Sequence, residues 1–239
     1  MTRMEELRRQ ATATLQEFEV LMLDGHFDYG NGYHGRAYVN PHRIFRQPSL
    51  IWRLAQDLLD VIPDSTLSAT QVVAGPVMGG ALLAHTMAGL LDGRRDLRHP
   101  PTSFAVFEYP GGFALTVPPT PSLEGTPTPR SAPAGSLTSA RSQDEPWLRL
   151  RPSYRTVVAG QRVLLADDVR NTGKTLEHAK RLVEDAGGTV IGSAVICDRL
   201  EAIVDLGVPN VALVEYPAPE NYPAADCPMC RAGEPITAF

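Results

Sequence analysis

The stretch "VLLADDVRNTGKT", residues 163–175, decides the predicted fold of this chain. The apolar run at 163–166 predicts a buried strand, and the residues that follow predict a turn leading into a helix. The stretch ends like a P-loop, G-x-x-x-x-G-K-[ST], but Asp168 stands where that loop needs its first glycine. Because this side chain would project an acid toward a triphosphate, the P-loop interpretation is poor.

A single terminal phosphate suits the same turn better. Backbone N–H groups at the start of the helix, with the hydroxyls of Thr172 and Thr175, would surround it. Gly173 would permit the close approach of the backbone. Asp167 and Asp168, at the strand end, repel phosphate but accept hydrogen bonds from neighbouring hydroxyls. A ribose 5-phosphate offers both groups, so the stretch predicts a site for a phosphorylated sugar.

The rest of the chain repeats the alternation of strand and helix. Residues 3–24 and 48–62 predict amphipathic helices. Four further apolar segments predict strands: "QVVAGPV" at 71–77, "SFAVFEY" at 103–109, "TVIGSAVICD" at 189–198 and "NVALVEY" at 210–216. Continuous apolar strands alternating with helices indicate an α/β fold with a doubly wound, mainly parallel sheet. We expect one domain over 1–239, with an N-terminal hood at 1–45 and a C-terminal tail at 220–239.

Composition narrows the class of protein. The chain has 239 residues, 43% of them hydrophobic, and a net charge of −5. Its surface as a whole therefore does not attract nucleic acid or an acidic membrane. The N-terminus lacks a signal-peptide pattern, and no run approaches the ~18 apolar residues that a membrane span needs. A cytoplasmic location is expected.

Residues 118–146 depart from the pattern, because they contain seven of the 21 prolines and almost no large apolar side chain. This composition predicts a flexible, Pro-rich insertion. Two interpretations stay open, a neutral spacer and an active-site lid.

The opening stretch resembles the PRPP-binding signature of the type I phosphoribosyltransferases: apolar residues, two acids, then a Thr/Ser-Gly-x-Thr turn. The resemblance implies that fold, Asp167 and Asp168 as catalytic residues on the ribose hydroxyls, and Mg²⁺ held mainly through PRPP rather than by protein ligands. It also implies a 5-phosphate site made of Asn171, Thr172, Gly173, Lys174 and Thr175.

Three other stretches resemble the orotate phosphoribosyltransferase branch. "GHFDYGNGYHGRAYV", 25–39, resembles its segment over the base, which implies base contacts from Phe27, Asn31 and Gly32. "CDR", 197–199, implies that Arg199 contacts the orotate carboxylate, for which its planar fork is suited. "VVAGPVMGGALLA", 72–84, resembles the pyrophosphate loop, here Gly75, Pro76, Val77, Met78, Gly79 and Gly80.

Departures from that branch leave the function open. Gly30 and Asn31 replace its lysine and serine, and its mobile catalytic loop is not recognisable. Arg149 and Arg151 are the lid candidates that remain. The first hypothesis is transfer of the phosphoribosyl group to orotate, in pyrimidine biosynthesis; the others are transfer to a different base and a non-catalytic PRPP-binding or sensing protein. The resemblance also implies a homodimer.

The tail "DCPMCRAGEP", 226–235, contains one C-x-x-C pair, Cys227 and Cys230. A zinc site needs four ligands, and the chain has no second cysteine pair. A structural turn is the first interpretation, and metal or redox use is the alternative. His26 and His34 are expected to be structural rather than catalytic.

Overall fold

The computed structural model describes residues 2–29, 32–96, 98–109, 148–201, 204–217 and 221–238. The insertion predicted at 118–146 and the base-binding candidate Asn31 lie outside these ranges. Within them, every helix is too short or too polar to cross a bilayer.

The described segments alternate helices and strands along the chain. The helices are α1 (Arg3–Glu17), α2 (Pro48–Val61), α3 (Asp64–Ala69), α4 (Gly79–Gly93), α5 (Pro152–Val158), α6 (Lys174–Asp185) and α7 (Pro228–Arg231), with 3-10 turns at Pro41–Arg46 and Ala224–Asp226. The strands are β1 (Leu21–Met22), β2 (Phe27–Asp28), β3 (Tyr33–Gly35), β4 (Tyr38–Val39), β5 (Val72–Pro76), β6 (Ser103–Glu108), β7 (Arg149–Leu150), β8 (Arg162–Arg170), β9 (Thr189–Asp198), β10 (Asn210–Glu215) and β11 (Asn221–Pro223).

A six-stranded sheet forms the centre of the molecule, in the order β10-β9-β8-β5-β6-β7. All neighbouring strands are parallel except β7, which pairs antiparallel with β6. Side chains of β8 alternate between two cores. Leu164 packs with α1, α2 and α4, whereas Leu165 packs with α5 and α6. The predicted doubly wound, mainly parallel sheet is confirmed, and burial on both faces explains why its strands read as continuous apolar runs.

The first predicted helix is shorter than expected. It ends at Glu17, and Glu19 has a φ of 52°, a left-handed conformation that interrupts the helix. Leu21 and Met22 instead form β1, which pairs with β4. The apolar stripe that continued to residue 24 therefore belongs partly to a strand.

The N-terminal hood is built from both ends of the chain. β2 and β3 form an antiparallel hairpin, and β11 of the C-terminal tail adds to its other side. A bridge between Phe27 and Thr237 adds a second connection. The tail and the hood, predicted as separate segments, are thus one small layer.

The parallel sheet has a switch point between β5 and β8. From β5 the chain proceeds to β6 on one side, whereas β8, β9 and β10 extend on the other. Ligands of open α/β sheets bind in the crevice outside the carboxyl ends of the strands at such a point. The hairpin of the hood contributes side chains to this edge of the sheet.

Candidate active site

A cavity of about 750 Å³ lies at the carboxyl edge of the sheet. Its lining comes from the hood, from the loop between β5 and α4, from the end of β8 with the turn after it, and from the end of β9. The residues are Tyr29, Tyr33, Tyr38, Val39, Pro41, Phe45, Pro76, Val77, Met78, Gly79, Tyr109, Asp167, Asp168, Val169, Asn171, Thr172, Thr175, Arg199, Glu201 and Asn221.

The two predicted catalytic acids lie together in this cavity, where β8 leaves the core. Asp167 is only 7% exposed, and Asp168 is partly exposed. The N–H of Asp168 donates to Asp167 Oδ1 at 3.0 Å, and the N–H of Val169 donates to Asp168 Oδ1 at 2.6 Å. Burial raises the pKa of Asp167 well above its usual range, and the neighbouring Asp168 charge raises it further. Both effects favour the protonated form of the Asp167 carboxyl.

The predicted phosphate turn follows directly. Gly173 has a φ of 83°, a left-handed conformation that glycine adopts without strain, and α6 begins at the next residue. Asn171, Thr172 and Thr175 line the cavity at the N-terminal end of α6. Lys174 is exposed and stands outside that lining, while Gly173 is buried. Backbone N–H groups and hydroxyls at a helix start form an anion site.

The predicted pyrophosphate loop packs against the acid pair. Its Val77–Met78 peptide is cis, and the Val77 N–H donates to Phe107 O at 2.8 Å. A β-carbon on Gly80 would lie 2.6 Å from Ala166 O, closer than real β-carbons approach. One on Gly75 would overlap the Gly80 carbonyl. Glycine at these positions lets the loop contact the end of β8, with the residues from Pro76 to Gly79 facing the cavity.

Arg199 approaches the same cavity from the end of β9. Its guanidinium carbon lies 5.8 Å from the centre of the Tyr29 ring, and its Nη2 lies 3.2 Å from Glu201 Oε1. The Arg199 side chain is only 13% exposed. Tyr29 Oη lies 2.7 Å from Ala37 O and 3.1 Å from Asn221 Oδ1, and burial raises the pKa of this phenol. The arginine is thus held in position before any ligand arrives.

Several predicted site residues lie elsewhere among the described parts of the chain. Phe27 is 4% exposed and is buried within the hood near the Tyr38 ring. Gly32 lies in the hairpin turn, outside the cavity lining. Arg149 and Arg151 are exposed at the edge of the sheet, where Arg151 Nε donates to Glu108 Oε2 at 2.5 Å.

The sequence prediction missed most of the aromatic wall. Tyr29, Tyr33 and Tyr38 come from the aromatic-rich stretch at 25–39, so that composition could have indicated them. Phe45 follows shortly after in the chain. Asn221 gave no sequence signal, because it reaches the cavity only through the pairing of β11 with β3.

Fold and site together define an α/β protein that places a carboxylate pair and the turn at the start of α6 in one cavity at the switch point of a parallel sheet. The phosphoribosyl transferase domain family matches residues 46–206, and the chain belongs to this family. Its activity is that of a pentosyltransferase.

A curated relative agrees with this assignment, and solved structures share the fold. The chain is 29% identical over 224 residues to orotate phosphoribosyltransferase of Novosphingobium aromaticivorans, covering 93% of each protein. Orotate phosphoribosyltransferase from Aeropyrum pernix has a similar fold, with a TM-score of 0.54 at 20% identity over 85% of this chain and 92% of that one. Adenine phosphoribosyltransferase from Thermoanaerobacter pseudethanolicus shares the fold equally, with a TM-score of 0.54 at 16% identity over 84% and 99% of the two chains. Fold similarity therefore extends to enzymes named for different bases.

Proposed function

We propose that the protein transfers the 5-phosphoribosyl group of PRPP to orotate, giving orotidine 5'-phosphate and pyrophosphate. The observation that carries the proposal is the position of Arg199 in the same cavity as the acid pair and the phosphate turn. Orotate is a planar carboxylate, and a guanidinium fork gives it two parallel, charge-assisted hydrogen bonds. The full-length orotate phosphoribosyltransferase relatives support this choice of base.

The sugar phosphate fits the cavity in one orientation. The 5-phosphate accepts from the turn that Asn171, Thr172 and Thr175 build, and the ribose hydroxyls donate to Asp167 and Asp168. The diphosphate lies along the backbone of the loop from Pro76 to Gly79. This assignment uses oxygen acceptors for hydroxyls and N–H donors for phosphates, as each group requires.

Bond breaking at the sugar C1 runs ahead of bond making. The C1–O bond electrons leave with pyrophosphate, and the lone pair of a ring nitrogen of orotate forms the new C1–N bond as that nitrogen loses its proton to solvent. Positive charge develops on the sugar, and the carboxylates of Asp167 and Asp168 stabilise it. Arg199 orients the base, so that the reacting nitrogen is already positioned next to C1.

Mg²⁺ fits the donor set at this site. The partly exposed carboxylate of Asp168 and the oxygens of PRPP are the hard ligands that this ion prefers. When bound, it would neutralise charge on the leaving pyrophosphate.

The homodimer and the cytoplasmic location stay predictions; light scattering of the purified protein tests the first.

One contact favours a second candidate, transfer to a base without a carboxylate. Glu201 lies 3.2 Å from Arg199 and offsets part of its charge. A neutral base would leave that ion pair intact.

Steady-state turnover of PRPP with orotate, adenine, guanine, hypoxanthine and uracil separates the two candidates. Orotate as the preferred acceptor supports the proposal, and preference for a neutral base contradicts it. Tight PRPP binding without turnover on any base would support a sensing role instead.

A further inference from the structure

Four side chains from opposite ends of the chain converge where the hood meets the C-terminal tail. They are His26, His34, Cys227 and Cys230, and one ligand atom of each lies within 4.8 Å of the other three. His26 immediately precedes β2 and His34 lies in β3, while Cys227 immediately precedes α7 and Cys230 lies within it. His26, His34 and Cys227 are 3%, 7% and 1% exposed, and Cys230 lies at the surface. Both thiols are free rather than joined in a disulfide.

Four of the six distances between these atoms match a tetrahedral metal site, and all six are within 4.8 Å. Zinc bonds of about 2.3 Å to sulfur and about 2.0–2.1 Å to nitrogen place two nitrogens about 3.3 Å apart, and a nitrogen and a sulfur about 3.5 Å apart. His26 Nε2 and His34 Nδ1 are separated by 3.2 Å. Cys227 Sγ and Cys230 Sγ each lie 3.6 Å from His26 Nε2, and Cys230 Sγ lies 3.3 Å from His34 Nδ1.

The surroundings orient the imidazole of His26 for this role. His26 Nδ1 lies 2.9 Å from Glu234 O, a carbonyl that can only accept, so Nδ1 carries the proton. The lone pair of His26 Nε2 then faces the cluster. His34 presents Nδ1 to the cluster, and its Nε2 lies 3.9 Å from Asp28 Oδ1. A carbonyl behind a ligating histidine fixes its tautomer in this way at known metal sites, as Glu234 O does for His26.

We propose that His26, His34, Cys227 and Cys230 bind one Zn²⁺ ion. Two thiolates and two imidazoles are soft and borderline donors, which select zinc rather than the Mg²⁺ that PRPP carries. Four protein ligands complete a tetrahedron, and this arrangement is typical of structural rather than catalytic zinc. The site is separate from the carboxylates and phosphate turn of the active site and does not depend on which base is used.

The ion would fasten the tail to the hood. Backbone bonds already join the two, with the N–H of Asp28 donating to Thr237 O at 2.9 Å and the N–H of Thr237 donating to His26 O at 2.8 Å. The tail also supplies Asn221, which lines the cavity and contacts Tyr29. Zinc therefore holds in place one wall of the substrate cavity, and its loss would loosen the residues around the base.

The metal content of the full-length protein tests the proposal directly. Protein purified with zinc present and then dialysed is measured by inductively coupled plasma mass spectrometry, together with Cys230→Ser and Cys227→Ser. We expect one zinc per wild-type chain and a loss of that ion in both variants. Cys197→Ser and His99→Gln are matched controls, since they remove a thiol and an imidazole outside the cluster; they retain one zinc per chain.

A second measurement uses no variant, because replacement of the buried Cys227 can prevent folding. Wild-type protein is stripped of metal with a chelator and titrated with Co²⁺, whose visible spectrum reports tetrahedral thiolate coordination. We expect a thiolate-to-cobalt band that saturates at one equivalent and disappears when zinc is added. Absence of both zinc and this band from the wild-type protein overturns the proposal and leaves a hydrogen-bonded polar cluster. Retention of one zinc per chain by both Cys230→Ser and Cys227→Ser also overturns it.

Discussion

The backbone of Gly79 lies against the carboxylate of Asp168 so closely that a β-carbon on Gly79 would overlap Asp168 Oδ2 and the Phe45 ring. The loop proposed to hold pyrophosphate and the acids proposed to hold ribose are therefore one packed unit. A shift in either one moves the other.

Gly79→Ala tests this unit. The methyl group must displace Asp168 or the loop, and overpacking of this kind costs about 1–3 kcal/mol. We expect kcat/KM for PRPP to fall by about 5- to 150-fold, with native circular dichroism. Gly89→Ala is the matched control, because Gly89 is an exposed residue of the same helix with open space around its α-carbon. It should keep its activity and gain about 0.5–1 kcal/mol of stability. Equal activity of the two variants would contradict the prediction.

Asp167→Asn should separate activity from stability. A folded-state pKa above the unfolded value means that the native state keeps a proton which the unfolded chain releases, so wild-type stability falls as pH rises from about 4 toward the raised pKa. Asparagine cannot ionise and removes this slope. We expect the variant to be more stable than wild type at pH 8 and the difference to shrink toward pH 4, measured by urea unfolding at both pH values.

The same variant should lose turnover. Asparagine keeps an acceptor oxygen but loses the charge beside the developing cation, and a hydrogen bond to a charged group contributes about 1.5–3 kcal/mol. A fall in kcat of at least tenfold is expected, and the double variant with Asp168→Asn should lose orders of magnitude. Full activity of the double variant would remove the diol-binding assignment.

The Arg199–Glu201 pair predicts how the base is chosen. Arg199→Ala should raise KM for orotate by about 10- to 150-fold, the loss of a charge-assisted hydrogen bond of about 1.5–3 kcal/mol, while KM for PRPP changes little. Glu201→Gln should lower KM for orotate, because the Arg199 guanidinium then has no ion pair with Glu201 to give up when it binds the orotate carboxylate. Arg181→Ala is the control: it breaks an exposed Arg–Glu pair on α6, at 2.6 Å, and should leave both KM values unchanged. An equal rise in both KM values for Arg199→Ala would remove its role in binding the carboxylate.

Local sequence predicted the sheet and the acid pair, because strand, turn and helix follow one another within residues 163–175 and need no distant partner. The pairing of the hood with the C-terminal tail was not predictable in the same way. β11 pairs with residues 33–35 across most of the chain, and Cys227 meets His26 over a separation of 201 positions. The remaining metal ligands were sought in a second cysteine pair, whereas the side chains beside Cys227 and Cys230 are two histidines near the other end of the chain. Contacts of this kind depend on the folded path of the chain rather than on any local pattern.

The edge of the sheet away from the cavity carries a stability prediction. Arg95 follows α4, and its guanidinium donates to Leu67 O at 2.5 Å, to Thr70 O at 2.7 Å and to Thr102 Oγ1 at 2.8 Å. These residues precede β5 and β6, so one side chain joins the entrances of two central strands. Thr70 and Thr102 are 1% and 9% exposed, so Arg95→Ala would leave polar groups buried without this donor.

We expect Arg95→Ala to lower the free energy of unfolding by about 2–3 kcal/mol and Tm by about 5–10 °C, and Arg95→Lys to recover only part of this. A lysine ammonium lacks the planar fork that spans three acceptors. Arg98→Ala, which removes a side chain that is 92% exposed, should stay within about 0.5 kcal/mol of wild type. Turnover below Tm should be unchanged in all three variants, because the amino edge of the sheet supports the fold while the carboxyl edge carries the chemistry. A Tm for Arg95→Ala equal to that of Arg98→Ala would show that these three bonds contribute nothing net.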